Sequence, residues 1–298
     1  MAVNTPMDNR ITIDKLEFYI TNVCNLTCSG CNRYNNYKFA GWQNYDDYAD
    51  VIQQWSKKIN LIKPMILGGE PLLNPSINQW LEGLRSAWPD AYAPEIVSNG
   101  TRIDLVDDLY DTCHRTGSWI GVSLHRESDR KPIFDRIRNF LQHPIQEGPA
   151  LRTDMNSDYQ FIDANHVQVH VWTTVNFLQN NIIERPDGSR TLWRSDPEEA
   201  HRICPQVLHK NYHFINGKIY KCGPAPLMAE FDLQYPFDIS DEDRAIIHTD
   251  QGLSIDEFDE RGEEFFRNID NPIPQCRFCP DTFEWHQIEF TDLKPNKI

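Results

Sequence analysis

Four times between residues 15 and 141 a short apolar run gives way to a stretch of helical periodicity. The runs lie at 15–21, Pro64–Leu67, Pro94–Val97 and Trp119–Leu124. After each one, apolar residues recur at separations of three and four, the spacing of one helix face. The faces are Tyr48, Val51, Ile52 and Trp55, then Ile77, Trp80, Leu81 and Leu84. Next come Leu105, Val106, Leu109 and Tyr110, extended by Cys113, and then Ile133, Phe134, Ile137, Phe140 and Leu141, with Pro132 near the helix start. Consecutive strand–helix units imply a parallel sheet with right-handed crossovers. The expected fold is α/β, an open or partial (β/α) barrel, with its chemistry at the carboxyl ends of the strands.

Those ends carry unusual residues. The first strand runs into Cys24-Asn-Leu-Thr-Cys28-Ser-Gly-Cys31, a C-x3-C-x2-C loop. Three thiolates on one short loop suit a soft metal centre. Closed structural sites take four protein ligands, so three leave a position open. A zinc knuckle with a distant fourth ligand is the alternative. The second strand ends in Gly68-Gly69-Glu70-Pro71, the third in Ser98-Asn99-Gly100-Thr101, and the fourth contains Ser123 just before His125 and Arg126.

The cysteine loop after the first strand, joined to Gly-Gly-Glu-Pro at the end of the second, resembles the radical S-adenosylmethionine (SAM) enzymes. The resemblance implies that Cys24, Cys28 and Cys31 hold a [4Fe–4S] cluster whose fourth iron binds SAM. Reductive cleavage of SAM then gives a 5′-deoxyadenosyl radical that takes hydrogen from a substrate. Gly68, Gly69, Glu70 and Pro71 are expected near the SAM ammonium, with glycines that permit close backbone approach. Ser98, Asn99 and Ser123 are expected near its ribose or carboxylate. Residue 30 departs from the family, which usually has an aromatic residue there.

From 142 to 203 the pattern weakens. Val167, Val169 and Val171 alternate, so 166–173 reads as a strand, either a fifth barrel strand or half of a hairpin with Tyr159–Ile162. No sixth barrel unit is legible. Asp196-Pro197 signals a helix start. Tyr212–Ile215 and Lys218–Lys221, flanking Asn216-Gly217, read as a β-hairpin. A second cysteine set, Cys204, Cys222, Cys276 and Cys279, is spaced C-x17-C…C-x2-C. Around a hairpin it resembles the twitch domain, a shortened SPASM domain that holds an auxiliary [4Fe–4S] cluster, with structural zinc as the alternative. The expected division is a core over 1–198 and a small α+β auxiliary-cluster domain over 199–298.

Eight cysteines in a 298-residue chain, clustered and without a signal peptide, point to metal ligation in a reducing compartment rather than disulfides. Cys113 falls on an apolar helix face and reads as a buried thiol. With no apolar run near 18 residues, the chain is expected to be cytoplasmic. A net charge of −15 argues against nucleic acid or an anionic membrane as partner. The acidic runs Asp241–Asp243 and Asp256–Glu264 read as solvated surface. His125, Arg126 and His170 are candidates for substrate binding or proton transfer at the barrel mouth. A reduced flavodoxin- or ferredoxin-type protein is the expected electron donor.

The expected reaction is oxidation of a hydroxyl-bearing small molecule, with the auxiliary cluster taking the second electron. Only about 14 residues precede the first strand, where peptide-modifying relatives often carry a leader-binding module. Radical cross-linking or epimerisation of a peptide is the alternative, and a non-catalytic iron–sulfur or zinc scaffold is the alternative of another class.

Overall fold

The computed structural model describes residues 9–150, 158–178, 180–282 and 284–290. The repeating units appear as β1 (Ile11–Tyr19), α1 (Tyr45–Lys58), β2 (Ile59–Leu67), α2 (Ile77–Ala87), β3 (Glu95–Ser98), α3 (Leu109–Thr116), β4 (Trp119–Leu124) and α4 (Arg130–Phe140). Trp55, Trp80, Leu84 and Ile137 are fully buried, as their helical stripes require. The third stripe differs. Leu105 and Val106 lie in a turn before α3, and Leu105 is exposed. Asp108 takes a left-handed conformation (φ 58°), so the helix starts only at Leu109. L-residues do not continue a right-handed helix through that region.

Three strands follow: β5 (Ile145–Pro149), β6 (Tyr159–Asp163) and β7 (Gln168–Thr173). Then come the short β8 (Asn176–Leu178), β9 (Ile182–Glu184) and β10 (Arg190–Leu192). The remainder is α5 (Pro197–Ile203), α6 (Pro205–Leu208), β11 (Asn211–Ile215), β12 (Lys218–Tyr220), α7 (Pro224–Gln234), α8 (Asp241–Ile247), α9 (Phe258–Arg267) and β13 (Trp285–Gln287).

A nine-stranded sheet runs in the order β12-β11-β1-β2-β3-β4-β7-β6-β5. Its central strands, from β11 through β1, β2, β3 and β4 to β7, are parallel. Both readings of 166–173 are realised at once. β7 is the parallel neighbour of β4 and the antiparallel partner of β6. The turn between β6 and β7 is held by Asp163, whose Oδ1 accepts from the amides of Asn165 (2.9 Å) and Val167 (3.0 Å).

The missing sixth parallel strand is β11, which lies on the far side of β1. The hairpin β11–β12 thus extends the main sheet. Asn216 and Gly217 both have positive φ (50° and 84°), as a type I′ turn demands. Asp196 caps α5 by accepting from the amides of Glu198 and Glu199.

Two apolar cores result. The larger packs α1 to α4 on the sheet and includes Phe18, Trp55, Trp80 and Phe214. The smaller is built around Phe231 of α7 and takes in Tyr19, Tyr34, Tyr37, Tyr220 and Phe278. It fixes the chain after the cysteine loop to the C-terminal helices. The acidic run at 241–243 is not simply solvated: Asp243 is buried, pairs with Arg194 and accepts from Ser240. Among the described residues no helix is long and apolar enough to cross a membrane.

Candidate active site

The loop after β1 is held by backbone bonds from the second strand end. Gly69 N donates to Thr21 O and Glu70 N to Val23 O, both at 2.8 Å. A Cβ on Gly69 would lie 2.3 Å from Val23 O and 2.9 Å from Cys24 Cβ, and one on Gly68 would lie 2.7 Å from Thr21 O. The two glycines are therefore the contact that lets the thiol loop seat against β2. Gly69→Ala is expected to cost on the order of 3 kcal/mol, because rigid backbone faces the added methyl group. Gly148→Ala, which would meet nothing within 4 Å, is expected to be near neutral. Urea denaturation of the two variants beside wild type checks the contrast.

Glu70 is fully buried and clamps two strand ends together. Its Oε1 accepts from Ser98 Oγ (2.7 Å) and Leu72 N (3.1 Å), and its Oε2 from Asn99 N (2.8 Å). Burial raises its pKa, against the pull of these donors. What remains for an ammonium group is the unused lone-pair capacity of the carboxylate and the neighbouring carbonyls. Ser98 spends its one O–H on Glu70 and accepts from Gly100 N (2.9 Å), so it has no donor left for a ligand. Asn99 donates Nδ2 to Asn25 Oδ1 (2.9 Å), and its Oδ1 accepts from Thr101. Asn25, inside the cysteine loop, in turn donates to Thr101 Oγ1 (2.7 Å). Sequence reasoning missed Asn25, although its place between the first two cysteines was a signal.

Also missed was Arg102 at the end of the same turn. Its Nε is buried without a partner, and its charge acts on Glu70. An anionic group such as a carboxylate suits that orphaned donor. Ser123 is half-buried on β4, in register with Trp172.

The histidines behave differently from expectation. His125 Nδ1 lies 3.1 Å from Thr174 O and its ring meets Phe177 edge-on at 5.4 Å, so it supports a wall from behind. Burial lowers its pKa. His170 sits low on β7 against Trp119, the first residue of β4, and does not reach the strand ends. Arg126 donates to Asp129 (2.7 Å), stacks 4.1 Å from the Phe290 ring centroid, and its charge reaches Cys28.

Phe290 belongs to a C-terminal strap that sequence reasoning did not foresee. β13 pairs with β8, Ser29 N donates to Glu289 O (2.7 Å), and Cys28 bridges to Phe290. A Cβ on Gly30 would lie 2.0 Å from His286 Nε2, and Gly30 has φ 71°. The space that a side chain at position 30 would fill is thus held by His286. The absence of an aromatic residue there was the available signal.

Cys204 lies between α5 and α6, Cys222 follows β12, Cys276 lies within the 3-10 turn Pro274–Phe278, and Cys279 caps its C-terminal end. Ser195 ties this turn down by donating to Cys279 O and, through its amide, to Arg277 O. Burial raises the thiol pKa values of all four, that of Cys276 to about 11. Cys222 and Cys279 also feel the other thiols of the set, and all four line one small cavity. In the first loop burial likewise raises Cys24 and Cys28, the latter to about 12. Metal binding would have to expel these protons. Among the described residues no three His, Cys, Asp or Glu side chains converge closely enough for a single ion. Cys113 is buried in the larger core and cannot donate hydrogen at a substrate face.

A buried ionic brace links the two thiol sets. Arg33, two residues after Cys31, donates to Glu17 Oε2 (2.5 Å), and His213 Nδ1 lies 3.1 Å from the same oxygen. Asn211 Nδ2 donates to Glu17 Oε1 (3.1 Å). Burial alone would raise the Glu17 pKa, but His213 and Arg33 outweigh it and hold the carboxyl at about 2. Arg33 also packs into the space left by Gly223, the residue after Cys222.

Between the sets lies a cavity of about 350 Å³, lined by Cys31 together with Cys204, Cys222 and Cys279. A mostly parallel α/β partial barrel, with an open three-thiol loop at the end of β1, defines the class of protein. Residues 18–147 match the profile of the radical SAM superfamily.

No curated protein matches the sequence. Similar solved structures include anSMEcpe with bound AdoMet, at 16% identity and TM-score 0.33, covering 43% of this chain and 40% of that one. Streptococcus suis SuiB bound to S-adenosylmethionine matches at 18% and 0.31, covering 42% and 26%. BtrN in complex with AdoMet and 2-DOIA matches at 15% and 0.47, covering 91% and 98%. The chain spans about two fifths of the length of the first of these.

Proposed function

We propose that the protein is a radical SAM oxidoreductase that dehydrogenates a hydroxyl-bearing small molecule held in the cavity between its two thiol sets. In this reading Cys24, Cys28 and Cys31 hold the SAM-binding [4Fe–4S] cluster, and Cys204, Cys222, Cys276 and Cys279 a second one. When bound, SAM on its cluster supplies a hydrogen-abstracting radical, and a second cluster supplies an acceptor for the electron that the substrate must then lose. The chain's own residues hold the geometry. Gly68 and Gly69 seat the thiol loop, the Gly68–Pro71 turn receives the SAM ammonium, and Asn99, Ser123 and Arg102 face its other polar groups. Ser98 serves through Glu70 rather than by direct contact.

The observation that carries this reading is the cavity itself. Cys31 and three thiols of the second set share its wall, so a substrate there lies between both centres. A cavity of about 350 Å³ is of small-molecule size. We further propose a flavodoxin- or ferredoxin-type donor, a cytoplasmic location, and residues 199–298 as the auxiliary unit.

Anaerobically reconstituted protein is expected to hold about eight irons and eight sulfides per chain, the sum of two four-iron clusters. With SAM and dithionite it is expected to form 5′-deoxyadenosine. Stoichiometric zinc beside about four irons, measured by elemental analysis, would refute the second cluster. Absence of 5′-deoxyadenosine from fully loaded protein would refute the reaction.

A further inference from the structure

Among the described residues, none that line the cavity between the thiol sets is Asp, Glu, Lys, Arg or His. Its polar lining is largely carboxamide, from Asn32, Asn176, Asn180, Asn181 and Gln206. An ionic group placed here would lose its hydration and, the thiols of the two sets apart, meet no side-chain counter-ion among the described residues, which is unfavourable. Carboxamides instead offer neutral donors and acceptors in fixed positions.

One of them is set apart. Asn181, just before β9, is only 4% exposed. Its Oδ1 accepts a 2.6 Å hydrogen bond from Tyr34 Oη. Its Nδ2 is buried without a partner, the only such atom among the described residues that line this cavity. Two neighbouring amides are held by their oxygen ends: Asn180 Oδ1 accepts from Ile182 N (3.0 Å), and Gln206 Oε1 lies 3.0 Å from His213 Nε2. Tyr34 is itself buried and packs edge-on against Phe231 at 5.4 Å. Tyr34 Oη donates to the oxygen end of Asn181, which leaves the nitrogen end of a cavity-lining residue unspent.

A buried N–H without an acceptor is costly, so such a donor in a cavity wall marks a place for a ligand oxygen. We propose that Asn181 Nδ2 is the donor that binds an uncharged oxygen acceptor of the substrate, a hydroxyl or an amide carbonyl, and that this cavity selects neutral over ionic groups. The proposal rests on the reading that substrate occupies this cavity, and it adds the binding residue and the charge class. Tyr34 N donates to Cys31 O at 3.0 Å, so Tyr34 keys Asn181 to the three-thiol loop. An oxygen held by Asn181 is thereby placed relative to Cys31.

The test uses small probes on the reconstituted protein with SAM present. N-methylacetamide and glycerol serve as neutral acceptors, acetate and ethylammonium as their ionic counterparts, and binding is read by ligand-detected NMR. The wild type is expected to bind both neutral probes, and N181L to bind them at least about tenfold more weakly, a loss in line with one buried hydrogen bond. N181D keeps the acceptor for Tyr34 and replaces the free donor by a carboxylate oxygen. It is expected to lose N-methylacetamide and to gain ethylammonium binding over the wild type. Should N181L fail to fold, N181D carries the test alone. Neutral binding that is absent in the wild type, or unchanged in a folded variant, overturns the proposal, as does acetate binding that depends on Asn181. Failure of N181D to gain ethylammonium also overturns it. Formation of 5′-deoxyadenosine by the wild type is measured separately. Its absence strikes the proposed reaction and leaves the binding result standing.

Discussion

Alanine in place of Cys24, Cys28 and Cys31 is expected to reduce 5′-deoxyadenosine formation to background. Replacing Cys276 and Cys279 is expected to leave it measurable while turnover of the true substrate fails. The difference follows from counting ligands. Three thiolates leave one iron of a four-iron cluster open to SAM, whereas four thiolates close the cluster. Each set of substitutions is expected to lower iron from about eight to about four per chain, so content alone does not separate them. The assay of SAM cleavage does, once spectroscopy has confirmed the remaining cluster. Some loss of solubility is expected in the C-terminal variant, because a small unit folded around a metal site depends on the metal for stability. If that variant, with its first cluster intact, cleaves no SAM, the division of labour is wrong. If it turns over substrate normally, the second set is only a structural staple.

Glu17→Gln is expected to destabilise the protein by about 3–5 kcal/mol, the usual loss when one partner of a buried ion pair is removed. Arg33 would remain buried between the thiol sets without its anion, and Asn211 would lose a charged acceptor. The Glu17 carboxyl is held at about 2 against an ordinary 4.5. A depressed carboxylate contributes its full stability above its unfolded pKa and loses it as pH falls through the folded value. Its contribution is therefore constant across the neutral range and declines only from about 4.5 toward 2. Urea denaturation of both proteins at pH 7 and 8.5 is expected to show the same deficit. A deficit under about 1 kcal/mol would mean that the brace is solvated in practice.

Periodicity and motif were enough for the first half of the fold. β4 lies where the run Trp119–Leu124 predicts it, and Trp80 and Leu84 are buried as their spacing demands. Such signals are local, since each strand–helix unit carries its own pattern. The helix start at Leu109 was misplaced because it depends on the left-handed turn at Asp108, which apolar spacing does not encode. The cysteines stand out in the sequence because thiol ligands need fixed spacings on short loops, and their ligation is what we propose. The Gly-Gly-Glu-Pro turn stands out as a strand end, but not the division of labour within it. Only the folded chain has Gly69 against Cys24 and spends Ser98 on Glu70.

What the tertiary structure alone decided are pairings between residues far apart in sequence. β11 joins β1 across nearly two hundred residues, and no repeat in the chain announces it. His286 fills the space beside Gly30, Arg33 meets Glu17 and His213, and Tyr34 orients Asn181. The sequence by itself determined which chemistry-bearing groups exist and on which strand ends they sit, because backbone periodicity and ligand spacing are short-range constraints. Which of those groups are spent on each other, and which remain free to meet a ligand, is set by long-range packing and by the satisfaction of buried polar atoms. Those balances exist only once the chain has closed on itself.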